Sequence, residues 1–137
     1  MSTALDTLFD LSLARTQLAR DVDIPLSSHG ISLSDLAILR ELRREPSQKL
    51  RRSDLAQRLG ITPSGVARQV GPLERIGLVA RESHDRDARL ALVVLTGTGA
   101  TIVDDALQTA EAAADRALAA RWSDAERDRL AKLLARR

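Results

Sequence analysis

This chain of 137 residues has no cysteine and only two histidines, His29 and His84. The lack of cysteine excludes a disulfide framework, a thiolate metal site and a thiol redox switch. Two isolated histidines do not form the His and Cys clusters that a transition-metal centre requires. We therefore expect no metal ion and no other bound cofactor.

Aromatic residues and long apolar runs are also scarce. Phe9 and Trp122 are the only aromatic side chains, so a core has to be built from leucine, valine, isoleucine and alanine. No apolar run reaches the roughly 20 residues that span a bilayer, and the N-terminus lacks a signal-peptide pattern. These features predict a cytoplasmic protein without membrane contact, and a hydrophobic content of 44% is enough for a core.

The sequence lacks the residue patterns of an enzyme. It has no paired nucleophile and base, no carboxylates clustered with histidine and no glycine-rich phosphate loop. The run LTGTGA at residues 95–100 opens a helix and does not follow the phosphate-loop pattern. We therefore expect a protein without catalytic activity.

The net charge of +2 is unevenly divided along the chain. Residues 1–39 carry a net charge of −3, residues 40–89 carry +5, and residues 90–137 are neutral overall. The basic excess lies in the middle segment, as expected of a surface that approaches phosphates.

Apolar spacing predicts six helices and one β-hairpin. The first helix is predicted over residues 3–21, before DVDIPLSSHG interrupts the pattern with proline and glycine. Ser32 is a candidate N-cap for the second helix, and Pro46 stops it. A polar connection follows, and the third helix after it ends at Gly60, a natural C-terminal cap.

The fourth helix begins directly after this glycine turn, with Thr62 as N-cap and Pro63 at its first position. Two short helices joined by such a turn are typical of a helix-turn-helix unit. Arg68 and Gln69 point outward near the helix start, where arginine can pair with guanine and glutamine with adenine in a major groove. A solvated helix face explains the same residues, so both interpretations stay open at this stage.

Two strand-like runs, LVARE and ARLALVVLT, follow the fourth helix. The polar residues SHDRDAR at 83–89 predict an exposed loop between them. An arginine held at this tip, such as Arg86 or Arg89, can enter a narrow minor groove beside the helix. The alternative is a hairpin whose opposite charges only keep it solvated.

Gly71 and Pro72 fall within the predicted fourth helix. Proline removes a backbone donor and crowds the carbonyl four residues earlier, so a bend is predicted there.

The stretch at residues 50–99 resembles the DNA-binding core of the MarR (multiple antibiotic resistance regulator) family of bacterial transcription factors. Its end, DARLALVVLTGTG at 87–99, is similar to the family's wing signature, an Asp-x-Arg followed by a strand and Leu-Thr-x-x-Gly. The resemblance implies one mainly α domain with a small β-hairpin wing. A winged helix-turn-helix core at 32–96 would lie between dimerisation helices at 1–31 and 97–137.

The resemblance also implies where DNA is contacted. The start of the fourth helix would lie at the major groove, and Arg89, oriented by Asp87, would reach into the minor groove. Arg51 stands where the family pattern usually has a threonine cap, so Arg51 and Arg52 are either phosphate contacts or a solvated pair. The candidate DNA contacts are Arg51, Arg52, Pro63, Ser64, Gly65, Arg68, Gln69, Arg81, Arg86, Asp87 and Arg89.

Residues 97–121 predict one long helix, and Ser123 with Glu126 forms the Ser-x-x-Glu start of a last helix. The long apolar surface predicts either pairing with a second copy or a three-helix layer within one chain. The resemblance implies a homodimer, which would bind a near-palindromic operator in double-stranded DNA with half-sites about 10 base pairs apart or a multiple. The candidate dimer contacts are Leu5, Leu8, Phe9, Ile102, Ala106, Ala110, Leu130, Leu133 and Leu134.

A small aromatic or phenolic effector is implied by the same resemblance, in a pocket between the dimer helices and the DNA-binding core. Arg15, His29 and Arg40 are the polar candidates for it, although ordinary surface or packing roles are the simpler explanation. The function predicted is a dimeric transcriptional regulator, a repressor released by a ligand. The alternative is a winged-helix architectural or protein-interaction module without ligand response.

Overall fold

The computed structural model describes the backbone of residues 3–84 and 87–136, and the side chains of these residues except 84 and 87–90. Within them the chain forms six α-helices, one short 3₁₀ turn and three strands. The elements are α1 (Ala4–Leu26), the 3₁₀ turn (Ser27–His29), α2 (Leu33–Arg44), β1 (Lys49–Arg51), α3 (Arg52–Leu59), α4 (Pro63–Arg75), β2 (Val79–His84), β3 (Asp87–Leu95), α5 (Gly97–Ala119) and α6 (Asp124–Leu134).

The three strands form one antiparallel sheet in the order β1-β3-β2. Strand β1 lies in the segment predicted as a polar connection, so the prediction of a hairpin alone was wrong. Leu50 pairs with Val93, and both side chains are buried. A strand of three residues with a single apolar side chain is too short to show the alternation of apolar and polar residues by which strands are predicted. Only its pairing with β3 defines it.

The hairpin strands are longer than predicted. β2 continues to His84 and β3 resumes at Asp87, with these two residues paired and an irregularity in register after Glu82. The predicted seven-residue loop was therefore wrong, because backbone pairing extends beyond the apolar side chains that revealed the strands. Arg86 lies outside the described residues.

Helix α1 also extends beyond its predicted end, through Pro25 to Leu26. Proline in a helix removes one hydrogen bond, which is why the sequence pattern placed a break here. Val22 and Leu26 are buried in the core, and this burial holds the last turns in place. The Ser27 hydroxyl donates to the Ile24 carbonyl at 2.6 Å and closes the helix end.

The local start and stop signals of the middle helices are confirmed. Ser32 and Asp35 form a reciprocal capping box at the start of α2, and Gly60 ends α3 with a φ of 67°. At the start of α4, the Thr62 hydroxyl accepts a hydrogen bond from the Gly65 amide at 3.0 Å. Helix α4 continues across Pro72 to its last turn, with the adjacent Leu73 buried.

The core lies where the C-terminal half of α1, α2 and the first part of α5 meet the helix-turn-helix and the sheet. Ala106 and Ala110 on α5 are buried within this core, at 0% and 8% exposure. Because the chain itself covers them, they leave little surface for the predicted contacts with a second chain. Ile102 is half-buried and packs against the same core.

A tight junction joins the start of α5 to the turn before β2. The Thr96 hydroxyl donates a hydrogen bond to the carbonyls of Gly77 at 2.7 Å and Leu78 at 3.0 Å. It also accepts a hydrogen bond from the Gly99 amide at 2.9 Å. Gly99 is buried, and a Cβ there would collide with the Leu78 carbonyl and lie 2.8 Å from the Leu95 side chain. Only glycine fits at this position.

In the described part of the chain, no helix combines the length and apolar character needed to cross a membrane.

Candidate nucleic-acid interface

Helices α3 and α4 form a helix-turn-helix around the left-handed Gly60. Val66, Val70 and Leu73 turn one face of α4 into the core. Ser64 and Arg68 are exposed and lie one helical turn apart, so they share a surface of α4. This surface begins at the N-terminus of the helix, as in helices that enter a major groove.

A cleft of about 430 Å³ lies between the starts of α3 and α4 and strand β3. It brings together four of the residues predicted from the sequence, Arg51, Arg52, Pro63 and Ser64. The complete lining is Arg51, Arg52, Ser53, Pro63, Ser64, Ala67 and Ala91. The structure thus places two arginines from one helix start beside the exposed start of the next helix.

Ser53, Ala67 and Ala91 line this cleft but were not predicted. Ser53 follows the two arginines in the first turn of α3, and Ala67 lies three residues after Ser64, so helical spacing could have indicated both. Ala91 belongs to β3, and only the folding of the sheet onto α3 brings it here. No local signal in the sequence indicates such a neighbour.

The first turns of α3 and α4 add partial positive charge to the cleft, because helix N-termini present amides without intrahelical partners. The Thr62 hydroxyl takes up one of these amides in α4, that of Gly65. Arg51, the N-cap residue of α3, forms no side-chain hydrogen bond to the first turn of that helix. The start of α3 therefore keeps its capacity to donate hydrogen bonds to an anion.

Several arginines and one lysine away from the cleft are neutralised by carboxylates of the chain itself. Arg58 bonds to Glu45 at 2.7 Å and to Glu41 at 3.5 Å, and the hydrogen bond with Glu45 raises the pKa of this guanidinium. Lys49 pairs with Glu82 at 3.0 Å. These pairs reduce the positive potential on that side of the helix-turn-helix.

Arg51, Arg52 and Arg68 differ from these residues, since none of them forms an ion pair with a carboxylate among the described side chains. Arg51 and Arg68 are exposed, and Arg52 is half-buried beside the cleft. Their charge is therefore available to an external anion, which makes the cleft side the basic face of the core.

Some of the predicted DNA contacts are partly buried or make contacts within the chain. Gly65 and Gln69 are half-buried, and Gly65 serves the cap of α4. Arg81 pairs with Glu74 at 3.5 Å, so its charge is partly compensated. Asp87 and Arg89 lie on β3, but their side chains fall outside the described part of the structure.

The three candidates for an effector site are not brought together by an observed cleft. Arg15 and Arg40 are exposed, whereas the His29 Nε2 lies 2.8 Å from the Thr109 hydroxyl and ties the 3₁₀ turn to α5. A second cleft, of about 440 Å³, lies between the end of α1 and α5. It is lined by Asp21, Ile24, Pro25, Ala113, Arg116 and Ala117 and by none of the three candidates.

A helix-turn-helix followed by an antiparallel hairpin, with a basic face at the start of the second helix, defines a winged-helix protein. The model of the MarR family matches residues 29–90. An uncharacterized HTH-type transcriptional regulator of Mycobacterium leprae is 35% identical over 94 residues, which cover 69% of this chain and 64% of that protein.

Solved structures agree with this match. Sco3205, a MarR family transcriptional regulator from Streptomyces coelicolor solved in complex with DNA, has a TM-score of 0.82 at 26% identity, covering 98% of this chain and 86% of that one. A probable transcriptional regulator from Pseudomonas aeruginosa has a TM-score of 0.82 at 25% identity, covering 93% of each chain. The chain belongs to the MarR family. It spans 64% of the length of the curated relatives it matches.

Proposed function

We propose that this chain is a transcriptional regulator that binds double-stranded DNA as a homodimer, with the start of α4 in the major groove. The observation that carries the proposal is the cleft that joins Arg51, Arg52 and Ser64 beside exposed Arg68. These arginines form no ion pair with a described carboxylate, and phosphates are the anions that such a surface meets on DNA. The complex of the S. coelicolor relative with DNA supports the same function.

The candidate side chains suit different parts of the DNA, according to their position and chemistry. Arg68 is the residue placed to read a base edge, because it is exposed on the outer face of α4 and arginine pairs with guanine through two hydrogen bonds. Arg51 and Arg52, with Ser53, lie at the start of α3 and suit backbone phosphates. Arg89, with Asp87 beside it in sequence, keeps the minor-groove role that the family resemblance implies.

The dimer proposal rests on the first half of α1. Every residue from 3 to 13 is exposed, so this half contacts little of its own chain. Leu5, Leu8 and Phe9 are 57%, 63% and 63% exposed, and Leu133 and Leu134 on α6 are 49% and 65% exposed. Apolar side chains exposed in such number indicate a surface that another molecule covers. A second copy supplies matching surfaces through two-fold symmetry.

In this proposal, residues 1–31 and 97–137 form the dimer layer, with Leu130 beside the exposed leucines of α6, and residues 32–96 form the reader. A dimer seated on a promoter blocks polymerase, so we propose a repressor. A small aromatic or phenolic effector would release it by favouring a dimer geometry that does not match the operator.

Selection of bound sequences from a random DNA pool tests the proposal. We expect a near-palindrome whose half-sites lie about 10 base pairs apart or a multiple. If each subunit neutralises three or four phosphates, the log of affinity falls against the log of salt concentration with a slope of roughly −5 to −7 per dimer. A slope near zero contradicts DNA binding, and equal affinity for selected and random DNA indicates an architectural module instead.

A further inference from the structure

The helix that leaves the reader, α5, is tied to α2 by a two-pronged ion pair. Arg43 donates from Nε to Asp104 Oδ1 and from Nη2 to Asp104 Oδ2, each at 3.0 Å. Arg43 lies in the last turn of α2, and Asp104 lies 61 residues further along the chain. Two parallel bonds between planar groups fix both distance and orientation, which a single bond does not.

Towards its C-terminus α5 buries only small side chains completely, while half-buried Ile102 and Leu107 pack against the core near the ion pair. On the C-terminal side of Val103, the fully buried residues of α5 are alanines, at positions 106, 110, 113 and 117. Crossing angles of packed helices are set by side-chain ridges that fit into grooves, and alanine forms only shallow ridges. These alanines therefore define the angle of α5 less closely than larger side chains would, and a directional contact adds to their packing.

Nearby polar contacts that join α5 to the 3₁₀ turn, and α2 to α1, are single hydrogen bonds. The His29 Nε2 lies 2.8 Å from the Thr109 hydroxyl, and the Leu33 amide donates to Asp23 Oδ1 at 2.7 Å. A single bond leaves rotation about its own axis free. Among the described side chains, the ion pair of Arg43 with Asp104 is the bidentate contact that joins α2 to α5, whereas the Thr96 junction joins the start of α5 to the turn before β2.

We propose that Arg43 and Asp104 are positioning residues that set the angle of each reader against α5, and thereby the separation of the two α4 helices in the dimer. The inference rests on the proposed DNA-binding dimer. Neither residue lines the basic cleft, so neither is assigned a DNA contact. The side chains are 37% and 53% exposed, and such pairs contribute little to folding. Loss of the pair leaves the fold intact while widening the range of reader angles.

Operators of altered spacing test this inference. The sequence selected by the wild-type protein is rebuilt with its half-sites one base pair closer or further apart, and binding is measured by fluorescence anisotropy. Asp104→Asn should reduce the preference for the selected spacing about three- to ten-fold, the range that loss of an exposed pair in both subunits allows. Asp105→Asn, the same charge change at the adjacent exposed residue of α5, should retain the wild-type preference.

The reversed pair, Arg43→Asp with Asp104→Arg, should restore the preference. Asp104→Asn removes a negative charge, so Coulomb forces alone raise its affinity for DNA of every spacing. An unchanged spacing profile in Asp104→Asn overturns the inference, as does a uniform change of affinity across all spacings.

A measurement without DNA separates this inference from the proposed function. The chain has no cysteine, so Gln57→Cys, at an exposed position of α3, provides one spin-label site per protomer. Distances between the two labels in the dimer should be more broadly distributed in Asp104→Asn than in the parent or in Asp105→Asn. A broadened distribution in a protein that selects no DNA sequence supports the positioning role and overturns the proposed function. Equal distributions overturn the positioning role.

Discussion

Helices α1 and α4 each present a surface that the chain itself leaves open, and the two surfaces differ in chemistry. The open part of α1 carries large apolar side chains, including Leu8 and Phe9, both 63% exposed. The open face of α4 carries Ser64 and Arg68, which water solvates well. Exposed apolar surface is unfavourable in water, so covering the α1 surface with a partner is favoured by the hydrophobic effect, whereas a partner of the α4 surface is attracted by charge. We therefore expect a permanent interface at α1 and a salt-sensitive one at α4.

The largest expected effect comes from placing charge on the α1 surface. The double substitution Leu8→Glu with Phe9→Glu should convert the dimer to a monomer, because ionised carboxylates cannot be buried against apolar partners. Affinity for the operator should fall at least about 100-fold, since the two half-sites no longer bind as one unit. Analytical ultracentrifugation and anisotropy measure the two effects. Thr7→Glu, on the same exposed half of α1 but outside the apolar set, is the control. A dimer that persists with both glutamates contradicts the assignment.

The next effect concerns the stability of the junction between the start of α5 and the turn before β2. Gly99→Ala places a Cβ against the Leu78 carbonyl and should lower the free energy of unfolding by about 3 kcal/mol or more, because backbone has to move. Urea denaturation measures this loss. Gly97→Ala, where no atom lies within 4 Å, should be neutral or slightly stabilising. Equal stability of the two variants would show that the junction tolerates a side chain.

A smaller effect separates base reading from phosphate contact on the α4 surface. Arg68→Ala should cost about 1 to 3 kcal/mol per half-site and relax sequence choice at a few positions. Arg52→Ala should weaken binding to all sequences alike and reduce the salt slope by about one per subunit. Anisotropy with selected and random DNA at several salt concentrations measures both. The same loss on both DNAs for both variants would refute this division of roles.

The smallest effect concerns how the two helices begin. The Thr3 amide donates to Asp6 and, together with the Thr3 hydroxyl, lowers the pKa of this carboxyl. A lowered pKa means that the cap stabilises the fold above the unfolded-state value of 3.8 and that this contribution is lost as pH falls through the lower folded value. Helix α4 is capped by Thr62, whose hydroxyl does not titrate in this range.

Acidification should therefore loosen the start of α1 while leaving the start of α4 in place. Amide hydrogen exchange, corrected for its intrinsic pH dependence, measures this from about pH 5 to pH 2. In Asp6→Asn, the difference in amide exchange between the start of α1 and the start of α4 should no longer depend on pH. Equal acid sensitivity of both starts in the wild-type protein would refute the assignment to Asp6.

The fold was predictable where its signals are local. Ser32, Gly60 and Thr62 act as caps at the predicted positions, because capping depends on hydrogen bonds and dihedral angles within about four residues. Strand β1 and the last turns of α1 were missed for the opposite reason. Leu50 becomes part of a strand only by pairing with Val93, and burial of Leu26 overrides the proline before it.

The candidate site was predictable in part. Arg51, Arg52, Pro63 and Ser64 were identified from the sequence and meet at one cleft, since the helix-turn-helix that places them is coded locally. The pairing of Arg81 with Glu74 and the contribution of Ala91 come from the hairpin folding onto the helices. Composition and spacing do not indicate which charges such folding neutralises.

The sequence by itself determined the order of the six helices and the hairpin, the caps of the middle helices and the location of the basic excess, because these depend on residue type and near neighbours. Only the tertiary structure decided which residues are available to a partner. Ala106 and Ala110 have the spacing of an interface but are enclosed by their own chain, while Leu8 and Phe9 stay open. Availability depends on what distant segments cover, and that coverage exists only once the chain has folded.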